Sequence, residues 1–185
     1  EPEALRAALE EASEEADLIV TTGGASMGAA DLVKDVLDDL GFVLDFWRIR
    51  MRPGSPVSFG RLSTIPVLGL PGNPVSAVVS YLVLGHPAVR ARGGHRGRHL
   101  PRIRAAVRET LPGPDHLTRF FRVALEPEGE GRWGARPAAP QGSGVIRSLA
   151  LADGLAVVPE GTPSPQPGTR VEVLLVPRAG WPENR

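Results

Sequence analysis

There is no cysteine anywhere in these 185 residues, which excludes disulfides, thiolate metal centres, thiol nucleophiles and redox chemistry through sulfur. Net charge is missing too. The 21 basic side chains balance 21 acidic ones, so no whole-chain field draws the protein to nucleic acid or an anionic membrane, and any anion site has to be local. Aromatic residues make up only 5% of the chain, and "RARGGHRGRHLPR" (90 to 102) contains none, so this basic run reads as a solvated linker and not as a nucleic-acid surface. No apolar run approaches the roughly 20 residues that span a bilayer; the longest, Val75 to Gly85, is interrupted by serines. No secretory pattern opens the chain, and the expected location is the cytoplasm. Lysine is almost absent: Lys34 is the only one, so an arginine at any single position carries little weight by itself. His86, His95, His99 and His116 show no ligand spacing with carboxylates, and no nucleophile-elbow or Ser/His/Asp pattern is visible.

What is present is 42% apolar content, enough for one sizeable core or two small ones. Residues 3 to 15 place Leu5, Ala8, Leu9 and Ala12 at helical spacing with acidic residues opposite. "DLIVTT" (17 to 22) reads as a buried strand that stops at Gly23 and Gly24. A helix from Ala29 to Leu40 follows, ended by Gly41. "FVLDFWRIRM" (42 to 51), "VSFGRL" (57 to 62) and "IPVLGL" (65 to 70) read as further strands, with a turn at "PGSP" (53 to 56), and a helix runs from Pro74 to about Leu84. Strands alternating with helices at these lengths predict a three-layer α/β domain with a mostly parallel sheet over residues 1 to 92. Beyond it, short β-like runs separated by Pro and Gly predict a small all-β module, barrel or sandwich, over 93 to 177, with 178 to 185 a tail. The chain starts at Glu1 with a helix that leads straight into a buried-looking strand, which suggests that something preceded it.

Four features carry possible chemistry, and each has a plain structural reading beside the functional one. In "TTGGASMGAADLVKD" (21 to 35), Gly23, Gly24 and Gly28 lie between a strand and a helix, where free backbone N–H groups can face an anion, with Thr22 and Ser26 as hydroxyl donors. A tight turn with no ligand explains the same residues. Asp31 is favourable charge on a helix's first turn or a carboxylate recruiting Mg²⁺ to an anionic ligand; taken singly, the first is preferred. Arg48, Arg50 and Arg52 alternate along a predicted strand, either a solvated face or a row needing an oxyanion, the solvated face being the more usual. In "LPGNPVSA", Pro71 and Gly72 fix the approach to a helix with Asn73 as N-cap and Pro74 at its first position. This is a stiff, well-capped helix start or a second anion-compatible corner at the same sheet edge as the first.

Taken together, "GGASMGAADLVKDVLDDLG", "FWRIRMRPGSPVSFG", "GLPGNPVSAVVSY" and "QGSGVIRSLALADGLAVVPEG" followed by "PGTRVEVLLV" resemble, in the same order, the MoeA family of molybdopterin molybdenumtransferases, relatives of the gephyrin E domain. The match runs from about residue 16 to 176. The resemblance implies an enzyme of molybdenum cofactor biosynthesis that takes adenylated molybdopterin and molybdate, uses Mg²⁺ and releases AMP. It implies that Asp31 matches an acidic position needed for activity and holds the metal, that Arg48 and Arg52 stand where lysines are usual, and that Gly23, Gly24, Ser26, Gly28, Pro71 and Pro74 match the substrate loops. Ser55 falls in a turn where the family usually carries lysine, and Ala29 where it usually carries an acidic residue. The resemblance further implies a C-terminal fragment whose α/β domain lacks its first strand and loop, a homodimer in the full-length protein, and the molybdopterin adenylyltransferase as a possible partner. It implies that the fragment alone does not turn over. Two other functions stay open at this point: a non-catalytic pterin-binding or scaffold module, and a molybdopterin adenylyltransferase, against which the C-terminal β module counts.

Overall fold

The computed structural model describes residues 2 to 23, 32 to 113, 116 to 142 and 144 to 177. The chain divides into two compact units, one running to Ile49 and including Gly54–Arg96, the other made of Arg50–Pro53 and the chain from Gly97 onward.

The first unit opens with α1 (Pro2–Glu15) and continues through β1 (Ile19–Thr22), α2 (Leu32–Asp39) and β2 (Val43–Trp47). After β3 (Met51–Arg52), which belongs to the other unit, come β4 (Ser58–Leu62), β5 (Ile65–Leu70), α3 (Pro74–Ser80) and α4 (His86–Arg92). Its sheet has the order β1-β5-β4-β2. The β5 strand alternates between faces as the period of two requires. Val67 joins Leu9, Ile19, Val36, Leu37 and Leu62 in a core under α1 and α2, whereas Leu68 and Leu70 join Val57 in a second core against Ala77, Tyr81 and Leu84. Helices thus cover both faces, the three-layer arrangement expected. The sheet is mixed: of its four strands β1, β5 and β2 run the same way, with β1 and β5 paired in parallel, while β4 is antiparallel to both β5 and β2. The cause is local. Leu62 pairs with Ile65 across a two-residue turn, with Ser63 left-handed at φ 55°, and so short a connection makes a hairpin that only antiparallel strands can share.

The helix that starts at Pro74 does not stop near Leu84. It passes through a π-helical turn, Tyr81–Gly85, and resumes as α4 to Arg92. Pro87 has no N–H to give the preceding turn, and the ladder widens by one residue, with the His86 N–H reaching Tyr81 O. Gly85 makes room for the bulge: a Cβ there would lie 2.5 Å from the Tyr81 ring.

The second unit is a closed barrel. Its strands are β6 (Arg102–Val107), β7 (Thr118–Gly129), β8 (Arg132–Pro137), β9 (Gly154–Val158) and β10 (Arg170–Leu175), with α5 (Arg147–Ala150) before β9. The order β7-β8-β6-β10-β9 closes because β9 also pairs with β7. Ala105, Phe121, Val123, Ala135, Ala156 and Val173 fill the interior. Met51 and Arg52 add to the β7 edge in parallel, opposite Thr118 and Arg119.

Candidate functional site

Since β2 and β5 are each antiparallel to β4, strands β1, β5 and β2 point the same way. Their carboxyl ends therefore share one edge of the sheet, the place where open α/β sheets bind ligands. At this edge β1 ends in exposed Thr22 and in Gly23, which turns left-handed at φ 84° and donates its N–H to Leu70 O at 3.0 Å. Beside it, β5 runs into buried Pro71 and exposed Gly72, Asn73 and Pro74. Asn73 is the N-cap: its Oδ1 accepts from Ser76 N at 3.3 Å, with Pro74 in the first helical turn. A Cβ on Gly72 would lie 3.6 Å from Gly23 Cα, so the two loops are neighbours. The remaining predicted members of the first loop, Gly24, Ser26, Gly28 and Asp31, lie outside the described residues, as does Ala29.

The third strand end carries Arg48. The predicted strand from 42 to 51 with three arginines on one face is not what forms. β2 stops at Trp47, Arg48 adopts φ 68° and donates its N–H to Val57 O at 2.9 Å, and its guanidinium lies 4.2 Å over the Trp47 ring. Alternation fails because a left-handed residue ends the pleat and the chain then crosses into the other unit. There Arg50 bonds Glu160 at 3.0 Å and donates to His116 O at 3.1 Å, and Arg52 is paired in β3. Ser55 closes the intervening turn, its Oγ donating to Ile49 O at 3.0 Å.

Sequence reasoning passed over a polar row on the same edge. Thr21, Gly69, Ser58 and Trp47 stand in register across the sheet. A Cβ on Gly69 would meet Ser58 Oγ at 2.2 Å and Thr21 Oγ1 at 3.6 Å, and Thr21 Oγ1 is buried with no hydrogen-bond partner. A glycine inside "IPVLGL" was the available signal.

It also passed over Arg122, in the barrel unit. Phe121 and Val123 point inward, so the period of two places Arg122 outside, yet it is only 2% exposed. The segment after β8 folds over it: Nε donates to Ser148 Oγ at 3.0 Å and Nη2 to Gly142 O at 3.1 Å, while Gln141 brackets its backbone through Oε1 and Nε2. Ser148 Oγ in turn donates to Val145 O at 2.6 Å. Burial pushes the guanidinium below its ordinary value, and among the described residues no carboxylate pairs with it. A buried cation held by neutral acceptors keeps a desolvation cost that its hydrogen bonds offset. The signal was a lone arginine inside the apolar run "FFRVAL".

The described residues contain no group of three or more His, Asp or Glu placed to hold a metal, and no helix among them is long and apolar enough to cross a membrane.

Comparison with known proteins assigns both halves. Residues 1–91 match a family described as a probable molybdopterin binding domain, and residues 104–176 match the MoeA C-terminal region, domain IV. Molybdopterin molybdenumtransferase 2 of Mycobacterium tuberculosis is 34% identical over 164 residues, which is 86% of this chain and 40% of the relative. Molybdopterin molybdenumtransferase of Bacillus subtilis is 31% identical over 170 residues, 92% of this chain and 39% of the relative. The solved structure of a molybdopterin biosynthesis moea protein from Pyrococcus horikosii superposes with a TM-score of 0.75 at 30% identity, over 95% of this chain and 41% of that one. The chain spans about two fifths of the length of these relatives.

Proposed function

With the molybdopterin-binding domain and the MoeA C-terminal region in that order, the chain belongs to the MoeA family, and we propose that the full-length protein inserts molybdate into adenylated molybdopterin and releases AMP. One observation supports this reading above the others: the strand ends bearing Gly23, Gly72 and Arg48 open on the same sheet edge. Side-chain-free backbone there lets a phosphate approach closely, and the Arg48 cation neutralises an oxyanion beside it. Thr22 and Ser26 add hydroxyl donors in this reading, Gly24 and Gly28 complete the loop, and Pro71, Asn73 and Pro74 keep the second loop rigid. Arg52 and Ser55 are assigned to the substrate as well. Arg122 offers a further oxyanion position in the barrel unit. A divalent cation supplies charge neutralisation on the phosphates when bound. Asp31 is the side chain assigned to hold Mg²⁺; the described residues named at this edge bring no carboxylate. We place the protein in the cytoplasm as a homodimer that receives its substrate from the molybdopterin adenylyltransferase, and expect residues 1 to 185 alone not to turn over.

The test is AMP release from adenylated molybdopterin by the full-length protein, with molybdate and Mg²⁺ supplied. Turnover is expected in the wild type and none in Asp31→Ala; an Asp31→Ala enzyme as fast as wild type would remove Asp31 from the site. A specific observation keeps a second reading alive. Ser55 spends its hydroxyl on Ile49 O where the family's usual lysine would bring a cation, as a non-catalytic scaffold tolerates. Molybdopterin binding without AMP release would establish that reading instead.

A further inference from the structure

We infer that Trp47 is a positioning residue for the oxyanion site: its indole ring holds the Arg48 guanidinium in place at the sheet edge before the anion arrives. The inference rests on the reading that Arg48 meets the oxyanion. An exposed arginine ordinarily spreads over many rotamers, and an anion that recruits it has to order it. Two features of this chain remove that disorder in advance. Successive side chains on a strand point to opposite faces, so a regular β2 would send Trp47 and Arg48 apart. Arg48 instead takes φ 68°, a conformation that a long side chain adopts only where its surroundings hold it. Its N–H is pinned on Val57 O at 2.9 Å. The left-handed step swings the guanidinium back over the half-buried Trp47 ring, 4.2 Å from its centroid.

A guanidinium held over an aromatic ring keeps N–H groups that can still donate to a tetrahedral oxyanion. Among the described residues no ion pair involves Arg48, whereas Arg50 is tied to Glu160. The Trp47 backbone is itself held in the sheet, in register with Ser58 of β4. The left-handed backbone at Arg48 and its contact with the Trp47 ring are thus one device, and they hold a cation that no carboxylate pairs with among the described residues.

The experiment uses the full-length protein, with molybdate and tungstate as probe oxyanions in calorimetric titration and thermal melting as the check on folding. Arg48→Ala is expected to weaken binding about tenfold or more, the loss of a charge-assisted hydrogen bond. Trp47→Leu is expected to weaken it about two- to fivefold, the loss of an exposed cation–π contact, and Trp47→Phe by less. In the Arg48→Ala background, Trp47→Leu should then have no further effect, which a merely structural tryptophan would not produce. If Arg48→Ala binds as wild type does, the assignment of Arg48 fails and the role of Trp47 with it. If Arg48→Ala weakens binding but Trp47→Leu does not, or costs the same in both backgrounds, only the role of Trp47 is overturned. Should the leucine variant not fold, Trp47→Phe carries the same comparison, with a small loss that vanishes when Arg48 is absent.

Discussion

Replacing Arg122 by methionine in the full-length protein separates a residue kept for binding from one kept for stability. The guanidinium gives one hydrogen bond to Ser148 Oγ and one to Gly142 O, each worth roughly 1.5 to 3 kcal/mol as a bond from a charged group. Their loss costs about 3 to 6 kcal/mol. Against this stands the desolvation of a cation that is 2% exposed with no carboxylate partner among the described residues, a penalty of several kcal/mol for a buried ion. Methionine is also unbranched and fills most of the same space without a charge. Ser148 keeps its bond to Val145 O, so the polar group stranded by the change is chiefly Gly142 O. The two large terms nearly cancel, and Arg122→Met should stay within about 2 kcal/mol of wild type in denaturant unfolding. Arg122→Ala, which leaves a hollow, should lose about 2 kcal/mol more.

Molybdate-dependent AMP release should respond quite differently, falling at least about tenfold in Arg122→Met with the fold intact. A methionine variant destabilised by about 4 kcal/mol or more, yet with unchanged dependence on molybdate, would show Arg122 to be a structural brace. The pH dependence follows from the sign of the shift. Burial lowers the guanidinium's affinity for its proton in the folded state, so the cost is present in full at every pH below the lowered value. It is lifted only as pH rises through that value toward the unfolded one. Acidification brings no relief, and the stability difference between wild type and Arg122→Met should not shrink as pH falls from neutral.

Two further predictions concern the sheet edge. Asn73→Ala removes the acceptor for Ser76 N and should cost about 1 kcal/mol in denaturant unfolding, with Asn73→Asp or Asn73→Ser close to wild type; an alanine variant as stable as the parent would mean that the cap contributes nothing. Gly69→Ala drives a Cβ to 2.2 Å from Ser58 Oγ but leaves 3.6 Å to Ser58 Cβ. It should therefore destabilise by about 1 to 3 kcal/mol, and Ser58→Ala in the same chain should restore most of the loss; failure of that rescue would show the clash to lie elsewhere.

How far the molecule could be read from its residues depended on the range of the interactions involved. The Asn73 cap and the three layers were legible, because a cap is settled within four residues and a layer by the period of its apolar positions. The mixed sheet was legible in principle, since only Ser63 and Thr64 separate two strand-like runs. The π turn was not, because Pro87 reads as a helix end unless the chain beyond it is known to continue. The arginine row was misread for a non-local reason: Arg50 and Arg52 find their partners at His116, Thr118, Arg119 and Glu160, far along the chain. Arg122 was missed because its burial depends on Gln141, Gly142 and Ser148 closing over the outer face of β7. Local rules also fail at two arginines: Arg48, a long side chain at positive φ, and Arg122, a buried charge with no countercharge among the described residues. A sequence otherwise consistent with its fold carries such costs where they serve a ligand. The proposed function gives both the same ligand, a small oxyanion, and the Arg48→Ala and Arg122→Met variants test whether each guanidinium, held by Trp47 in one unit and by Ser148 and Gly142 in the other, meets it.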